Sequence, residues 1–264
     1  MESVTLGRND FSYDRVGQGP AILMLSGWCQ DHRLFKTLMP ELAKTNCVIR
    51  FDWRGHGDHR IYDGDFTAND MASDAQALLD HLKIDQVVPL STSHGGWTNI
   101  ELADRLGAKR VPRVVVIDWI MVKPSQEFFE SIADVQVESK WKKGINDLFH
   151  YWISDTDNPD VIDHVREEMA GYDYEMWARS GREIAGAYAT WGCPLDRMKA
   201  IKEHRPITHI FSQPPESEYH DAQKAFALAN PWFEPVKLQG KTHFPTLEQP
   251  KNVAEAVRSF LCKS

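Results

Sequence analysis

The chain alternates between short apolar runs and longer stretches in which apolar residues recur at helical spacing. Short runs rich in Val, Ile and Leu, bounded by turn residues, indicate buried strands, whereas apolar residues at every third or fourth position indicate helices. We predict strands over residues 4–6, 11–16, 21–25, 47–51, 114–117, 207–211 and 232–238, and one more from residue 87 to the turn at Ser93. We predict helices over residues 67–82, 95–106, 221–229 and 252–261.

The order of these elements favours a parallel sheet with helices on both faces, because strands and helices alternate through the first half of the chain. The first two strands flank the turn-rich segment 7–10 and predict a hairpin at a sheet edge. Beyond residue 120 strands disappear and Trp and Tyr become dense, so we predict an inserted helical cap. The core then comprises residues 1–120 and 203–264, and the cap comprises residues 121–202.

Composition narrows the class of protein. The 264 residues include 30 Lys and Arg against 38 Asp and Glu, a net charge of −8, and no basic cluster, which disfavours a nucleic-acid partner. No apolar run approaches the ~18 residues of a membrane span, and residues 1–10 lack the apolar part of an export signal, so we expect a cytoplasmic protein without a membrane partner. The four cysteines lie far apart, and we expect buried thiols rather than disulfides or a zinc site.

The segment from Val87 to Trp97 has the pattern of a strand, a sharp turn and a helix. Its centre, Ser91-x-Ser93-x-Gly95, differs from the G-x-S-x-G nucleophile elbow only in its first position. In such an elbow a serine on a strained turn exposes its hydroxyl above the sheet. The alternative for this stretch alone is that Ser93 merely caps a helix, with the following glycines relieving crowding.

Two further residues extend this local pattern into a catalytic constellation. Asp118 directly follows the strand 114–117, and His243 lies in the loop between the last strand and the last helix. The order Ser93, Asp118, His243 on an alternating α/β chain is that of the α/β-hydrolase fold. We therefore predict this fold: a mostly parallel sheet, helices on both faces and the inserted cap.

The choice of the acid rests on its position. In the commonest arrangement the acid follows the strand 207–211, but the loop there offers only Glu216 and Glu218, several residues further on. Asp118 at a strand end is better placed to hold the His243 ring and to stabilise its protonated form.

Other loops suggest ligands that the pattern does not support. The glycine pair at 17–19 precedes a strand rather than a helix, so it is no dinucleotide-binding motif. His56 and His59 with Asp58 lie on a loop without the helical spacing of zinc motifs, which disfavours a metal. The loop 26–32 follows a strand at the place where this fold supplies one backbone N–H of an oxyanion hole.

Seven motifs together resemble one family within this fold. They are GWC at 27–29, DWRGHG at 52–57, SHGGW at 93–97, DW at 118–119, RSGR at 179–182, HIFSQP at 209–214 and THFP at 242–245. The set is similar to the bacterial cofactor-independent 3-hydroxy-4-oxoquinoline and 3-hydroxy-4-oxoquinaldine 2,4-dioxygenases over nearly the whole chain. Gln30 and Thr92 depart from the quinaldine enzymes' pattern, in which both positions are expected to be histidine.

The resemblance implies that the triad serves a reaction with O2. His243, polarised by Asp118, would remove the 3-hydroxyl proton of a bicyclic N-heteroaromatic substrate, and the anion would react with O2 and lose carbon monoxide from a bridged peroxide. The quinoline substrate would give N-formylanthranilate, without a metal or flavin cofactor, because the substrate anion supplies the electrons. Ser93 would bind the substrate rather than attack it. The other residues expected at the substrate are Trp28, His94, Trp152, Gln30 and His32.

Two alternatives remain open at this level. One is a serine hydrolase, either an esterase or a C–C bond hydrolase, in which Ser93 is the nucleophile. The other is a ligand-binding receptor with the same fold, which the complete triad disfavours.

Overall fold

One twisted sheet carries the carboxyl-edge loops on which the predicted site depends. In the computed structural model, which describes residues 1–62 and 64–263, the sheet of the described part has eight strands in the order β1-β2-β4-β3-β5-β6-β7-β8. Their bounds are β1 Glu2–Leu6, β2 Asn9–Val16, β3 Ala21–Leu25, β4 Cys47–Phe51, β5 Val87–Thr92, β6 Val114–Ile117, β7 Ile207–Phe211 and β8 Phe233–Lys237. β2 pairs antiparallel with β1 and β4, and the other neighbours are parallel. The predicted fold class and the edge hairpin are confirmed.

Helices cover both faces of this sheet, and further helices form the cap. Their bounds are α1 Leu38–Leu42, α2 Ala68–His81, α3 Gly95–Arg110, α4 Gln126–Asp134, α5 Trp141–Ile153, α6 Pro159–Asp163, α7 Tyr174–Trp191, α8 Pro194–Lys199, α9 Ser217–Ala229, α10 Pro245–Glu248 and α11 Pro250–Leu261, with a 3₁₀ helix at His32–Phe35 and a π-helix at His164–Met169. The predicted end of α3 at residue 106 falls at a kink, since Gly107 has a non-helical φ of 72°.

The central strands were recognisable from the sequence because they are buried on both faces. Every residue of β5, β6 and β7 is buried, and so is β3 apart from its first residue. A strand covered on both faces is a continuous apolar run rather than an alternating one. Because these strands are parallel, their carboxyl ends meet at one edge of the sheet, where the loops after β3, β5 and β6 lie side by side.

Between β6 and β7 the described chain is helical, as the sequence predicts for residues 121–202. The C-terminal end of α4 packs closely against α5 and α7. A Cβ on Gly144 would lie 2.8 Å from the carbonyl oxygen of Ser131, and one on Gly181 would lie 2.8 Å from Cγ of Gln136. The two glycines therefore let three cap helices meet above the sheet. The division of the chain at residues 121 and 202 stays a prediction.

Two details differ from the expectations. The 3₁₀ helix at His32–Phe35 and α1 are too short to show helical periodicity, and a side-chain cap from Asp31 to the Arg33 N–H starts the former. Of the four cysteines, Cys29 and Cys47 are buried as expected, but Cys193 is half-buried and Cys262, at the end of α11, is exposed. None of the described helices has the length and hydropathy needed to cross a membrane.

Candidate active site

The turn after β5 has the geometry of a nucleophile elbow. Ser93 has a φ of 49°, a left-handed conformation that strains a residue with a side chain, and its N–H donates to the carbonyl of Ile117 at 2.9 Å. A Cβ on Gly95 would lie 2.3 Å from the carbonyl oxygen of Ser26, so the motif requires glycine there. Serine is tolerated at position 91 because its hydroxyl accepts a hydrogen bond from Asn99 at 2.9 Å.

Ser93, His243 and Asp118 form one hydrogen-bonded chain. His243 Nδ1 lies 2.8 Å from Asp118 Oδ1, and His243 Nε2 lies 2.9 Å from Ser93 Oγ. Because the carboxylate accepts from Nδ1–H, Nε2 is left with the lone pair and accepts from the serine hydroxyl. The Ser93 side chain thus faces the histidine rather than capping α3, whose N-cap residue is His94.

Asp118 is hydrogen-bonded to the residues that directly follow β7, the strand after which the acid lies in the commonest arrangement of this fold. Its φ is 44°, and its Oδ2 accepts the backbone N–H groups of Ser212 at 2.7 Å and Gln213 at 3.3 Å, just beyond β7. The carboxylate is 2 % exposed and is therefore anchored away from solvent. The loop after β7 supplies backbone donors to the acid instead of supplying the acid itself.

A small, largely apolar pocket lies beside Ser93 under the cap. Its walls are Trp28, Gln30, Ser93, His94, Ile132, Val135, Leu148, Trp152, Trp177, Ser180, Gly181 and Ile184. Trp152 stacks on the His243 ring, with the ring centroids 5.5 Å apart and an interplanar angle of 22°. The backbone carbonyl of Trp152 accepts a hydrogen bond from the backbone N–H of His243 at 2.8 Å. The structure thus brings Ser93 and four of the five predicted substrate residues to one pocket, with His243 in contact with two of its walls, Ser93 and Trp152.

The fifth predicted residue, His32, lies elsewhere. Its ring Nδ1 is 2.7 Å from Asp52 Oδ2, and its backbone N–H donates to Asp52 Oδ1 at 2.6 Å, so Asp52 draws it away from the pocket. Gln30 does line the pocket, where its Oε1 accepts the Gly27 N–H at 3.0 Å and its Nε2 faces only the thioether of Met169 at 3.8 Å.

Comparison with known proteins decides between the functions that this geometry allows. Residues 22–256 match the model of the alpha/beta hydrolase family. The chain is 43% identical to 1H-3-hydroxy-4-oxoquinoline 2,4-dioxygenase of Pseudomonas putida, over 99% of both proteins. It is 44% identical to 2-heptyl-3-hydroxy-4(1H)-quinolone dioxygenase of Mycobacteroides abscessus, over 95% of this chain and 94% of that protein.

The chain belongs to the quinolone dioxygenases of the α/β-hydrolase family. A solved structure of 1H-3-hydroxy-4-oxoquinoline 2,4-dioxygenase superimposes on it with a TM-score of 0.96 at 42% identity, covering 99% of this chain and 100% of the other. The resemblance stated from the seven motifs is confirmed, and the serine hydrolase has less support than the dioxygenase.

Two buried histidines of this dioxygenase brace the loops of the site; from the sequence, His56 was considered only as a metal ligand and His209 had no role. His56 Nδ1–H donates to the Arg54 carbonyl at 3.0 Å, and its Nε2 accepts the Cys29 N–H at 3.1 Å. His209 Nδ1–H donates to Gln223 at 2.6 Å, and its Nε2 accepts the Trp119 N–H at 3.1 Å. Burial lowers the pKa of both rings to about 4, so both are neutral. The only sequence signal was their place within the DWRGHG and HIFSQP motifs.

His94 is neutral as well. Burial, together with the nearby His243, lowers the pKa of His94 to about 3, and its Nδ1 has no hydrogen-bond partner within the described protein. The ring stacks on Phe128 and meets Tyr188 edge-on. His94 therefore offers the pocket of the dioxygenase a neutral imidazole.

One group of candidate metal ligands occurs in the described part of the dioxygenase, and it is the Asp31, His32 and Asp52 cluster. Arg33 binds both oxygens of Asp31 at 2.6 and 2.8 Å, while Asp52 is hydrogen-bonded to His32. The cluster is a set of ion pairs that fixes the loop after β3. His56, considered as a ligand from the sequence, has both ring nitrogens in hydrogen bonds.

Proposed function

We propose that the protein cleaves the heterocyclic ring of 3-hydroxy-4-oxoquinoline with O2 and releases carbon monoxide and N-formylanthranilate. The observation that carries the proposal is the His243 ring, whose Nδ1 is bound by Asp118 while its Nε2 lies 2.9 Å from the hydroxyl of Ser93, a residue of the pocket wall. A base placed there can take the 3-hydroxyl proton of a ring bound in the pocket. The activity named for the relatives supports the same reaction.

In this proposal the substrate supplies the electrons. Transfer of the 3-hydroxyl proton to His243 Nε2 leaves an anion that reacts with O2 to form a peroxide bridging C2 and C4. Cleavage of the O–O bond and of both C–C bonds at C3 expels C3 as carbon monoxide. One oxygen atom of O2 ends in the formyl group and the other in the carboxylate, so the atoms and electrons balance without a cofactor.

The pocket walls suit a flat, neutral ring that becomes an anion. Trp152 and Trp28 offer aromatic faces, and the cap excludes water, which strengthens hydrogen bonds to the developing charge. We propose that Ser93 Oγ and the backbone N–H groups of Trp28 and His94 bind the substrate oxygens.

The deciding experiment incubates protein stripped of metals with 3-hydroxy-4-oxoquinoline under air and under argon and follows carbon monoxide. Release under air alone, unaffected by a chelator, supports the proposal. Absence of O2-dependent carbon monoxide would overturn it, and activity lost to a chelator and restored by iron would overturn its cofactor-free part. The 2-methyl and 2-heptyl analogues, assayed in parallel, show which substituents at C2 the pocket accepts.

Replacement of Ser93 by Ala separates the dioxygenase from the serine hydrolase. We expect substantial O2-dependent turnover to remain, because Ser93 Oγ positions the substrate in our proposal and forms no covalent bond. Near-complete loss together with a trappable acyl-serine in the unaltered protein would support the hydrolase. His243→Ala serves as the reference, since loss of the general base is expected to cost roughly 10²- to 10⁴-fold in either reaction.

The expectations of a cytoplasmic protein, and of one that binds neither nucleic acid nor membrane, stay predictions based on composition.

A further inference from the structure

The RSGR motif at 179–182 contains two arginines that take no part in the proton transfer. Ser180 and Gly181 line the pocket from α7, whereas Arg179 and Arg182 point to the loop between β4 and α2. Arg179 and Arg182 make different contacts with this loop, and the contacts of Arg179 suggest a role for it at the pocket.

Arg179 is inserted into this loop as a buried cation. Its side chain is 6 % exposed, and its guanidinium carbon lies 4.3 Å from the ring centroids of both Tyr62 and Phe66. Nη2 donates to the Gly64 carbonyl at 2.7 Å, and Nη1 lies 3.2 Å from Asp65 Oδ1. A planar guanidinium can stack on two rings and bind a carbonyl and a carboxylate at once, which an ammonium cannot do.

Phe66 connects this cation to the pocket. The Phe66 ring stacks on Trp28 at 5.5 Å with an interplanar angle of 11°, and Trp28 is part of the pocket wall. The indole Nε1 of Trp28 has no hydrogen-bond partner within the described protein, so packing alone orients the ring. The Phe66 face and an edge contact with His56 at 6.5 Å supply that packing.

We infer that Arg179 is a positioning residue that, by clamping Phe66 against Trp28, sets the aromatic wall on which the substrate ring binds. This inference rests on the proposed function. The clamp acts on binding of the substrate and leaves His243 and Asp118 untouched. Its loss should therefore raise KM and the dissociation constant and leave kcat nearly unchanged.

The test compares Arg179→Met with Arg182→Met. Arg182 binds the same Asp65 carboxylate at 3.0 and 3.3 Å but is 46 % exposed and, in the structure described, stacks on neither ring. We expect Arg179→Met to weaken substrate binding about tenfold with kcat within about threefold, and Arg182→Met to behave as the unaltered protein. Arg179→Lys should resemble Arg179→Met, because it keeps the charge but loses the planar stack.

Binding of 3-hydroxy-4-oxoquinoline is measured under argon by quenching of Trp fluorescence, and turnover separately under air. Binding without carbon monoxide release by the unaltered protein would refute the proposed function while leaving the clamp testable. Equal affinities of Arg179→Met and the unaltered protein would refute the clamp alone, as would an equal defect in Arg182→Met.

The Phe66→Leu variant provides a second test of whether Arg179 positions Trp28 through Phe66. If Arg179 acts through Phe66, the double variant Arg179→Met/Phe66→Leu should bind no more weakly than the worse single variant. Additive defects would overturn the inference. Should Arg179→Met fail to fold by circular dichroism, Arg179→Lys and Phe66→Leu carry the comparison, and normal substrate affinity in both would refute the clamp.

Discussion

At the scale of single residues, the chemistry depends on which nitrogen of each histidine carries its proton. Asp118 binds the Nδ1–H of His243 and so leaves the lone pair of Nε2 on the side of Ser93. The bracing histidines use the same tautomer differently, since His56 and His209 each accept a backbone N–H with Nε2. One imidazole form thus serves as a base where Nε2 faces the Ser93 hydroxyl and as a structural acceptor where Nε2 faces a backbone N–H.

Asp118→Asn should reverse the tautomer of His243. The backbone N–H groups of Ser212 and Gln213 will hold the amide oxygen and direct the amide N–H toward His243 Nδ1. Nδ1 must then accept, which places the ring proton on Nε2 and removes the base. We expect kcat/KM for O2-dependent ring cleavage to fall by about 10²- to 10⁴-fold.

The control for this variant is Glu216→Gln, which alters one of the two acids, Glu216 and Glu218, that follow β7 in the sequence. Its turnover should equal that of the unaltered protein. Comparable losses in the two variants, or full activity of Asp118→Asn, would contradict the assignment of the acid.

At the scale of elements, the site is built where parallel strands end. Ser93 and Asp118 each directly follow a strand in the left-handed conformation, and each backbone N–H donates to the neighbouring strand, at Ile117 and Ile210 respectively. Such conformations cost of order 1–3 kcal/mol and persist where the surroundings hold them. Hydrogen bonds to the neighbouring strands hold both turns. The same bonds therefore maintain the strained backbone and place the Ser93 and Asp118 side chains at the site.

The close packing behind the elbow can be tested at Gly96. A Cβ there would lie 2.2 Å from Cε3 of Trp119, a ring that is 1 % exposed and cannot move aside. Gly96→Ala should therefore lower the free energy of unfolding in urea by about 1–3 kcal/mol. Gly186→Ala is the matched control, because Gly186 is an exposed position of α7 whose added Cβ meets nothing within 4 Å, and the substitution should raise the same quantity by about 0.5–1 kcal/mol. Unchanged stability of Gly96→Ala would argue against this packing.

At the scale of the whole molecule, buried neutral histidines tie stability to pH. The pKa of His56 and of His209 is about 4 and that of His94 about 3, all lowered by burial from an unfolded value near 6.5. Below pH ~6.5 the unfolded chain gains protons that the folded chain does not, so stability falls until the folded pKa is reached. Each ring contributes up to about 1.4 kcal/mol per pH unit in that range.

His209→Gln should make this dependence less steep. We expect the slope of the unfolding free energy between pH 6.5 and 4.5 to decrease by up to about 1.4 kcal/mol per pH unit, measured by urea unfolding at several pH values. The exposed His81→Gln variant is the control. An unaltered slope in His209→Gln would show that the folded protein takes up this proton as readily as the unfolded chain does.

Much of the fold followed from local patterns. The bounds of β3, β4, β6 and β7 agree with the prediction, because each is a short, mostly apolar run that is buried at nearly every position. The order of Ser93, Asp118 and His243 along an alternating chain was sufficient to place all three at one edge of the sheet. The sequence by itself therefore determined the sheet, the triad and, through the seven motifs, the family.

Tertiary structure alone decided which side chains join the triad. His32 and Gln30 stand two positions apart in one loop, yet Asp52, twenty residues further on, binds the former, and the latter turns into the pocket. The Arg179 clamp likewise joins α7 to a loop more than a hundred residues earlier. Such contacts depend on the distances in space between elements that are far apart in the chain. Neither the periodicity of apolar residues nor the spacing of motifs predicts those distances.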